Sequence, residues 1–169
     1  MSAASLLCEI IAHGGKVSSD FHQSDRGFAS LVRHGFLRDA GAMSSVVCDQ
    51  CDDPHSARVV FEDGSNGYFC PELGFVPLAP EFLTAFLPDL PKLVERLADA
   101  FACRQRKSSR LHGQTWRIGA VSTVSETVML YFHPSLGSDE DVLDLQDALR
   151  REARSDWRLV VTARGGFPI

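Results

Sequence analysis

Cys48-Asp49-Gln50-Cys51-Asp52-Asp53-Pro54-His55 opens the stretch on which the reading of this chain turns, and Gly67-Tyr68-Phe69-Cys70-Pro71-Glu72-Leu73-Gly74 closes it. A Cys-x2-Cys pair in a tight turn points two sulfurs at one centre without straining the backbone. His55 follows four residues after Cys51, beside Pro54, within reach of the same point. Between the two ends, Ala57-Arg58-Val59-Val60-Phe61-Glu62 and Gly67-Tyr68-Phe69-Cys70 have the β-branched and aromatic content of strands. Asp63-Gly64-Ser65-Asn66 joins them with residues suited to positive φ. The resulting hairpin returns Cys70 to the Cys48–Cys51 turn, so three sulfurs and one imidazole converge. Zinc takes four N and S donors in a tetrahedron, and a full set of protein donors leaves no position for the water that catalytic zinc keeps. Cys48, Cys51, His55 and Cys70 are therefore the expected ligands of one structural Zn2+, and Asp49, Asp52 and Asp53 either add long-range electrostatic support or form a solvated acidic loop.

The run Cys70-Pro71-Glu72-Leu73-Gly74 resembles the second knuckle of zinc-ribbon proteins, a resemblance that spans residues 48–74. Another cysteine normally stands in that knuckle where this chain has Leu73. The resemblance thus implies that His55 replaces the missing thiolate.

Upstream, Ser2 can cap a helix running to His13, with Leu6, Leu7, Ile10 and Ile11 at helical spacing and Gly14-Gly15 as the stop. A short turn of helix is expected after Lys16, ending at His22. Ser24 or Asp25 would cap a second helix that carries Phe28, Leu31 and Val32 and ends at Gly35. Phe36-Leu37-Arg38 leaves as extended chain, and residues 43–48 form a strand that delivers Cys48. Helix, short element, helix and strand over residues 2–48 resembles the winged-helix DNA-binding fold, and the resemblance implies that Arg26, Arg33, His34 and Arg38 approach DNA.

Downstream, Ala79-Pro80-Glu81 opens a short helix that Pro88 interrupts, and Asp89-Leu90-Pro91 opens another with Leu93, Val94, Leu97 and Phe101 on one face. The proline-rich stretch 77–91 marks the module boundary, giving residues 1–78 and 79–169. Strands follow at 116–121 and 126–133. Ser138-Asp139-Glu140-Asp141 then starts a helix with acids at the positive end of its dipole and Arg150, Arg151 and Arg154 near the other end. Trp157-Arg158-Leu159-Val160-Val161-Thr162 is the last strand. The expected fold class is α+β: a helical, winged-helix-like part with a zinc-bound β-hairpin, then a β-β-α-β part.

Composition narrows the function classes. With 44% hydrophobic and 23% charged residues, the chain has the mix of a folded domain. Its apolar runs are far shorter than the ~20 residues a membrane helix needs, and the short run near the N-terminus is broken by Glu9 with no basic residue before it. A cytoplasmic protein is expected, and its cysteines are then metal ligands or packing residues, Cys8 and Cys103 being packing residues. The net charge is −5, yet its distribution is uneven. Residues 1–75 hold ten acidic and five basic side chains, whereas between Asp99 and Glu126 stand Arg104, Arg106, Lys107, Arg110 and Arg117 with no acid. That run is either a candidate polyanion site, with Ser108 and neighbouring hydroxyls adding hydrogen bonds and Trp116 a stacking surface, or a solvated helix C-terminus followed by a buried strand that Trp116 starts.

No constellation demands a reaction. Gly14-Gly15-Lys16-Val17-Ser18 lacks the leading glycine and the Ser/Thr of a phosphate-binding loop, and no His-Glu-x-x-His is present. Asp139, Glu140, Asp141 and Asp144 are accounted for by their place at a helix start. The expected function is a non-enzymatic, zinc-stabilised nucleic-acid-associated regulator, with DNA or RNA reached by Arg33, Arg38, Arg104, Arg106, Lys107, Arg110 and Arg117. The alternative is a protein-interaction module that binds a protein partner or itself.

Overall fold

A computed structural model of the chain describes residues 2–18, 26–48, 50–107, 109–153, 155 and 157–165. The expected turn of helix ending at His22, the cap at Ser24 or Asp25, and the parts given to Asp49, Ser108 and Arg154 lie outside the described residues. The chain is α+β, with five helices and three sheets among those residues.

Helix α1 (Ala3–His13) starts where the Ser2 hydroxyl accepts the Ser5 N–H at 3.1 Å, and it stops at Gly14, whose φ of 73° is a left-handed conformation that glycine adopts without strain. Helix α2 (Arg26–Arg33) closes on Gly35, also left-handed; the Gly35 and Phe36 N–H groups donate back to Val32 and Leu31. That pair of bonds satisfies carbonyls the helix end would otherwise leave bare.

Strands β1 (Val17–Ser18), β2 (Leu37–Ala42) and β7 (Thr84–Pro88) form a sheet in the order β1-β7-β2. The helix expected from Ala79 to Pro88 is therefore one turn only, α3 (Pro80–Leu83), before the chain becomes strand. Pairing on both sides of β7, with Ala85 and Phe86 opposite Ser18 and Val17 and Leu87 opposite Arg38, outweighs the local helix signal. Helix α4 (Leu90–Ala100) then begins at Asp89, whose carboxylate accepts the Lys92 N–H at 3.0 Å.

Strands β3 (Ser45–Cys48), β4 (His55–Glu62), β5 (Ser65–Cys70) and β6 (Gly74–Pro77) make an antiparallel meander in chain order. The last sheet runs β8 (Arg110–His112), β9 (Thr115–Ser122), β10 (Thr127–His133) and β11 (Trp157–Thr162), with β11 parallel to β10 through helix α5 (Asp139–Arg150). Ser138 and Asp141 close a reciprocal capping box at the start of α5.

Among the described residues, two hydrophobic clusters of buried side chains stand out. The larger draws Leu6 and Ile10 from α1, Leu31 from α2, Val94 from α4, Ile118 from β9 and Leu130 from β10, and so takes residues from both sides of residue 78. The smaller consists of Cys48, Ala57, Tyr68 and Cys70 in the meander. No helix among the described residues is long and apolar enough to cross a membrane.

Candidate metal centre

In an antiparallel meander the end of one strand, the start of the next and the end of the third lie at the same edge of the sheet. Cys48 ends β3, His55 starts β4 directly opposite it, and Cys70 ends β5. The register is set by the turn between β4 and β5. Asp63 and Gly64 both have positive φ, 49° and 82°, so the link is a two-residue turn whose twist matches the strands. It pairs Glu62 with Ser65 and Val59 with Tyr68, and alternation then puts His55, Ala57, Tyr68 and Cys70 on the face that Cys48 shares. A register slip of one residue would turn Cys70 to the opposite face.

One donor atom from each of Cys48, Cys51, His55 and Cys70 lies within 4.8 Å of the others, a grouping able to hold a metal ion. The Cys48 and Cys51 sulfurs are 3.8 Å apart, and Cys51 Sγ is 3.4 Å from His55 Nδ1. The imidazole carries the sharpest test of fit. His55 Nδ1 lies 3.0 Å from the Asp53 carbonyl as well as 3.4 Å from Cys51 Sγ. Nε2 is buried with no hydrogen-bond partner among the described residues. A buried polar atom is costly to leave unpaired, and either ring nitrogen of a neutral imidazole can serve as a metal donor.

The thiols differ in how readily they ionise. The Tyr68 hydroxyl bonding to Cys48, helped by the Gln50 N–H and against the opposing effect of burial, brings that thiol down to about 7. Cys51 is pushed up to about 12, by burial first and then by the Cys48 and Cys70 sulfurs. These surroundings thus favour the thiolate at Cys48 and oppose it at Cys51, a conflict that a bound cation would relieve. Leu73, where the zinc-ribbon knuckle has its usual cysteine, is exposed and offers no donor.

The cations proposed for a polyanion do not share one surface role. Arg106 is bound to Asp99 and donates to the Cys103 carbonyl, and Arg117 pairs with Glu152 at 3.3 Å. Arg110 lies over the Trp116 ring, 5.6 Å from its centroid. Trp116 is buried, so it is a core residue and not a free stacking surface. Arg38 and Arg110 line one cleft of about 410 Å3 together with Asp89 and Gln114. Arg33, Arg104 and Lys107 are exposed and have no ion pair among the described residues. Cys103 is buried and its thiol is pushed up by burial, with Arg106 opposing, so it is a packing residue.

One polar constellation escaped the sequence reading. His133, buried at the end of β10, places Nε2 at 3.2 Å from the Asp144 carboxylate and Nδ1 on the Ser135 carbonyl. Asp144 also accepts the Gln114 N–H at 2.8 Å. With both ring nitrogens engaged inside the protein, the pair is a latch between α5 and the sheet. Nothing in the sequence marks it, because Asp144 reads as one more acid on a helix already rich in them.

No protein-family profile, no curated protein and no solved structure matches this chain.

Proposed function

We propose that the chain is a zinc-stapled, non-enzymatic protein-interaction module whose binding surface is the outer face of the meander. Zinc is the ion that suits the donors. Zn–S bonds of about 2.3 Å in a tetrahedron put two sulfurs about 3.8 Å apart, which is the Cys48–Cys51 separation. A Cys3His set fills the coordination shell, as in structural sites. The metal then fixes a surface and leaves chemistry aside.

The observation that carries the reading is what that surface displays. Phe69 and Phe75 meet edge to face with centroids 5.5 Å apart on the side away from the metal, and Phe69 is 54% exposed. Val47, 66% exposed, lies on the same side. Asp52, Asp53 and Glu72 at one end of the sheet and Glu62 and Asp63 at the other are exposed, against the single base Arg58. An apolar centre with acidic ends fits a peptide that combines apolar anchors with Lys or Arg. Peptide display on the immobilised zinc-loaded chain tests this. Enrichment of basic, apolar sequences that is abolished by Phe69→Ser supports it, and enrichment that ignores Phe69 refutes it.

A second reading keeps nucleic acid as the partner, because Arg33, Arg104 and Lys107 remain available at the surface. The winged-helix resemblance adds little support: β2 pairs with β7 and β3 with β4, so no wing hairpin joins β2 to β3 among the described residues. Salt-dependent binding of DNA or RNA that falls on joint replacement of Arg104 and Lys107 would favour this reading.

A further inference from the structure

The two edges of the β8-β9-β10-β11 sheet are finished differently. β8 is three residues long, its register shifts between Arg110 and His112, and it carries a charged side chain; such an edge resists another strand. β11 is six residues long with no proline and no shift in its pairing to β10, and among the described residues it is bonded on one side only. Its one charge, Arg158, is no guard. The guanidinium is tied inward, donating to the Leu149 carbonyl at 3.1 Å, the Ala153 carbonyl at 3.1 Å and the Ser155 hydroxyl at 3.3 Å.

The face beside this edge is also unfinished. Trp157 and Leu159 stand opposite Val128 and Leu130, on the side of the sheet where Leu130 and Phe132 join the core with α1 and α4. Leu130 is buried and Val161 packs against the core, yet Trp157 is 56% and Leu159 49% exposed, so the cover stops short of the first half of β11. We infer that this edge pairs with β11 of a second copy of the chain, antiparallel about a two-fold axis perpendicular to the sheet. The margin left bare on one copy then abuts the bare margin of the other, and each supplies the missing cover.

Symmetry and alternation restrict how the strands meet. Residues paired across an antiparallel ladder share a face, so the pairing must keep odd residues opposite odd ones, which puts the axis on a residue and not between two. With the axis at Val160, Leu159 faces the second copy's Val161, and the two Arg158 side chains fall at opposite ends. With it at Leu159, the two Leu159 side chains meet. Both arrangements are free of like charges in direct opposition, and so the strand is self-complementary as a two-fold contact requires. The area favours a reversible dimer. An aromatic side chain buries roughly 150–250 Å2 in all, so Trp157 has about half of that to give against the roughly 800 Å2 per partner of a standard interface.

This inference is independent of the meander's partner. Sedimentation velocity of the zinc-loaded chain, reduced, over a concentration series tests it. A monomer–dimer equilibrium is expected, on the order of micromolar or weaker. Leu159→Lys should weaken it by about tenfold or more, while Leu143→Lys, on an exposed position of α5, leaves it unchanged. Circular dichroism and zinc content confirm that both variants are folded. A chain that stays monomeric to millimolar concentration overturns the inference, as does a dimer that survives Leu159→Lys or is lost on Leu143→Lys. Dimerisation with failed peptide selection would leave this inference standing and remove the meander reading; the converse result would do the reverse.

Discussion

Removing the metal should unfold the meander and spare the rest. The ion ties Cys48 to Cys70 across a loop of about 22 residues, and closing such a loop restricts the unfolded chain by roughly 3 kcal/mol before the bonds to the metal are considered. Structural zinc in small domains carries apparent binding energies of about 10–16 kcal/mol. The meander has little else to hold it. Its buried cluster is Cys48, Ala57, Tyr68 and Cys70, in which Tyr68 is the one large side chain, whereas ordering each backbone residue costs about 1–2 kcal/mol. The main core is built from other residues on α1, α2, α4, β9 and β10. Native-state hydrogen exchange with stoichiometric zinc and then with a chelator separates the two. Amides of β3 to β6 should lose protection by at least about a hundredfold, the equivalent of roughly 3 kcal/mol, while those of β9 and β10 keep theirs. Equal loss in both clusters would refute the separation. Unchanged protection in β4 and β5 would refute the staple itself.

Ser138→Ala breaks the capping box of α5 and should cost about 1 kcal/mol, a fall of roughly 2–4 °C in Tm by calorimetry. Burial opposes ionisation of its partner Asp141, but bonds from Ser135, Ser138 and the Gly137 and Ser138 N–H groups prevail and hold the carboxyl below its ordinary range. A lowered folded value means the contribution is complete above the unfolded value of about 4 and lost as pH falls through the folded one. Urea melts of Asp141→Asn and the parent should therefore differ at pH 6 and converge in acid. Gly67→Ala drives a methyl into the Phe75 ring and to 2.5 Å from the Val76 carbonyl; a loss of about 1–3 kcal/mol, confined to the meander, should show in the same exchange experiment. Asp144→Ala strips the acceptor from His133 Nε2 and the Gln114 N–H, and chemical denaturation should report about 1–3 kcal/mol.

Features written locally in the chain were legible, and features decided by distant pairing were not. Ser2 and Gly14 bound α1, Asp89 caps α4 and Ser138 caps α5, each through a hydrogen bond within a few residues. The grouping able to hold a metal was legible for the same reason: Cys48, Cys51 and His55 are close in sequence, and a two-residue hairpin link brings back Cys70. β7 was hidden because Pro80 and Glu81 signal a helix start, while the partners that make Thr84–Pro88 a strand lie near residues 17 and 38. β8 was hidden in a basic run whose charge suggested an exposed polyanion site. His133 gave no signal, since its partner Asp144 is eleven residues away on α5.

The electrostatics of the assembled chain bear on the choice between partners more than its sequence average did. Three thiolates and one Zn2+ would sum to a single negative charge, so zinc bound there would not make the meander cationic. Five exposed acids and one arginine then surround the Phe69–Phe75 pair. At physiological ionic strength a charge is felt over about 8 Å, far enough for both ends of this short sheet to act on anything seated across it. A phosphate backbone laid there meets repulsion along its length, whereas a peptide bearing Lys or Arg beside an apolar anchor meets attraction at both ends and an aromatic contact between them. Arg106 and Arg117, which made the 104–117 run look like a polyanion site, are spent on Asp99 and Glu152. On the proposed reading the partner of the meander carries positive charge, while an anion would find Arg33, Arg104 and Lys107 among the exposed cations that have no ion pair among the described residues.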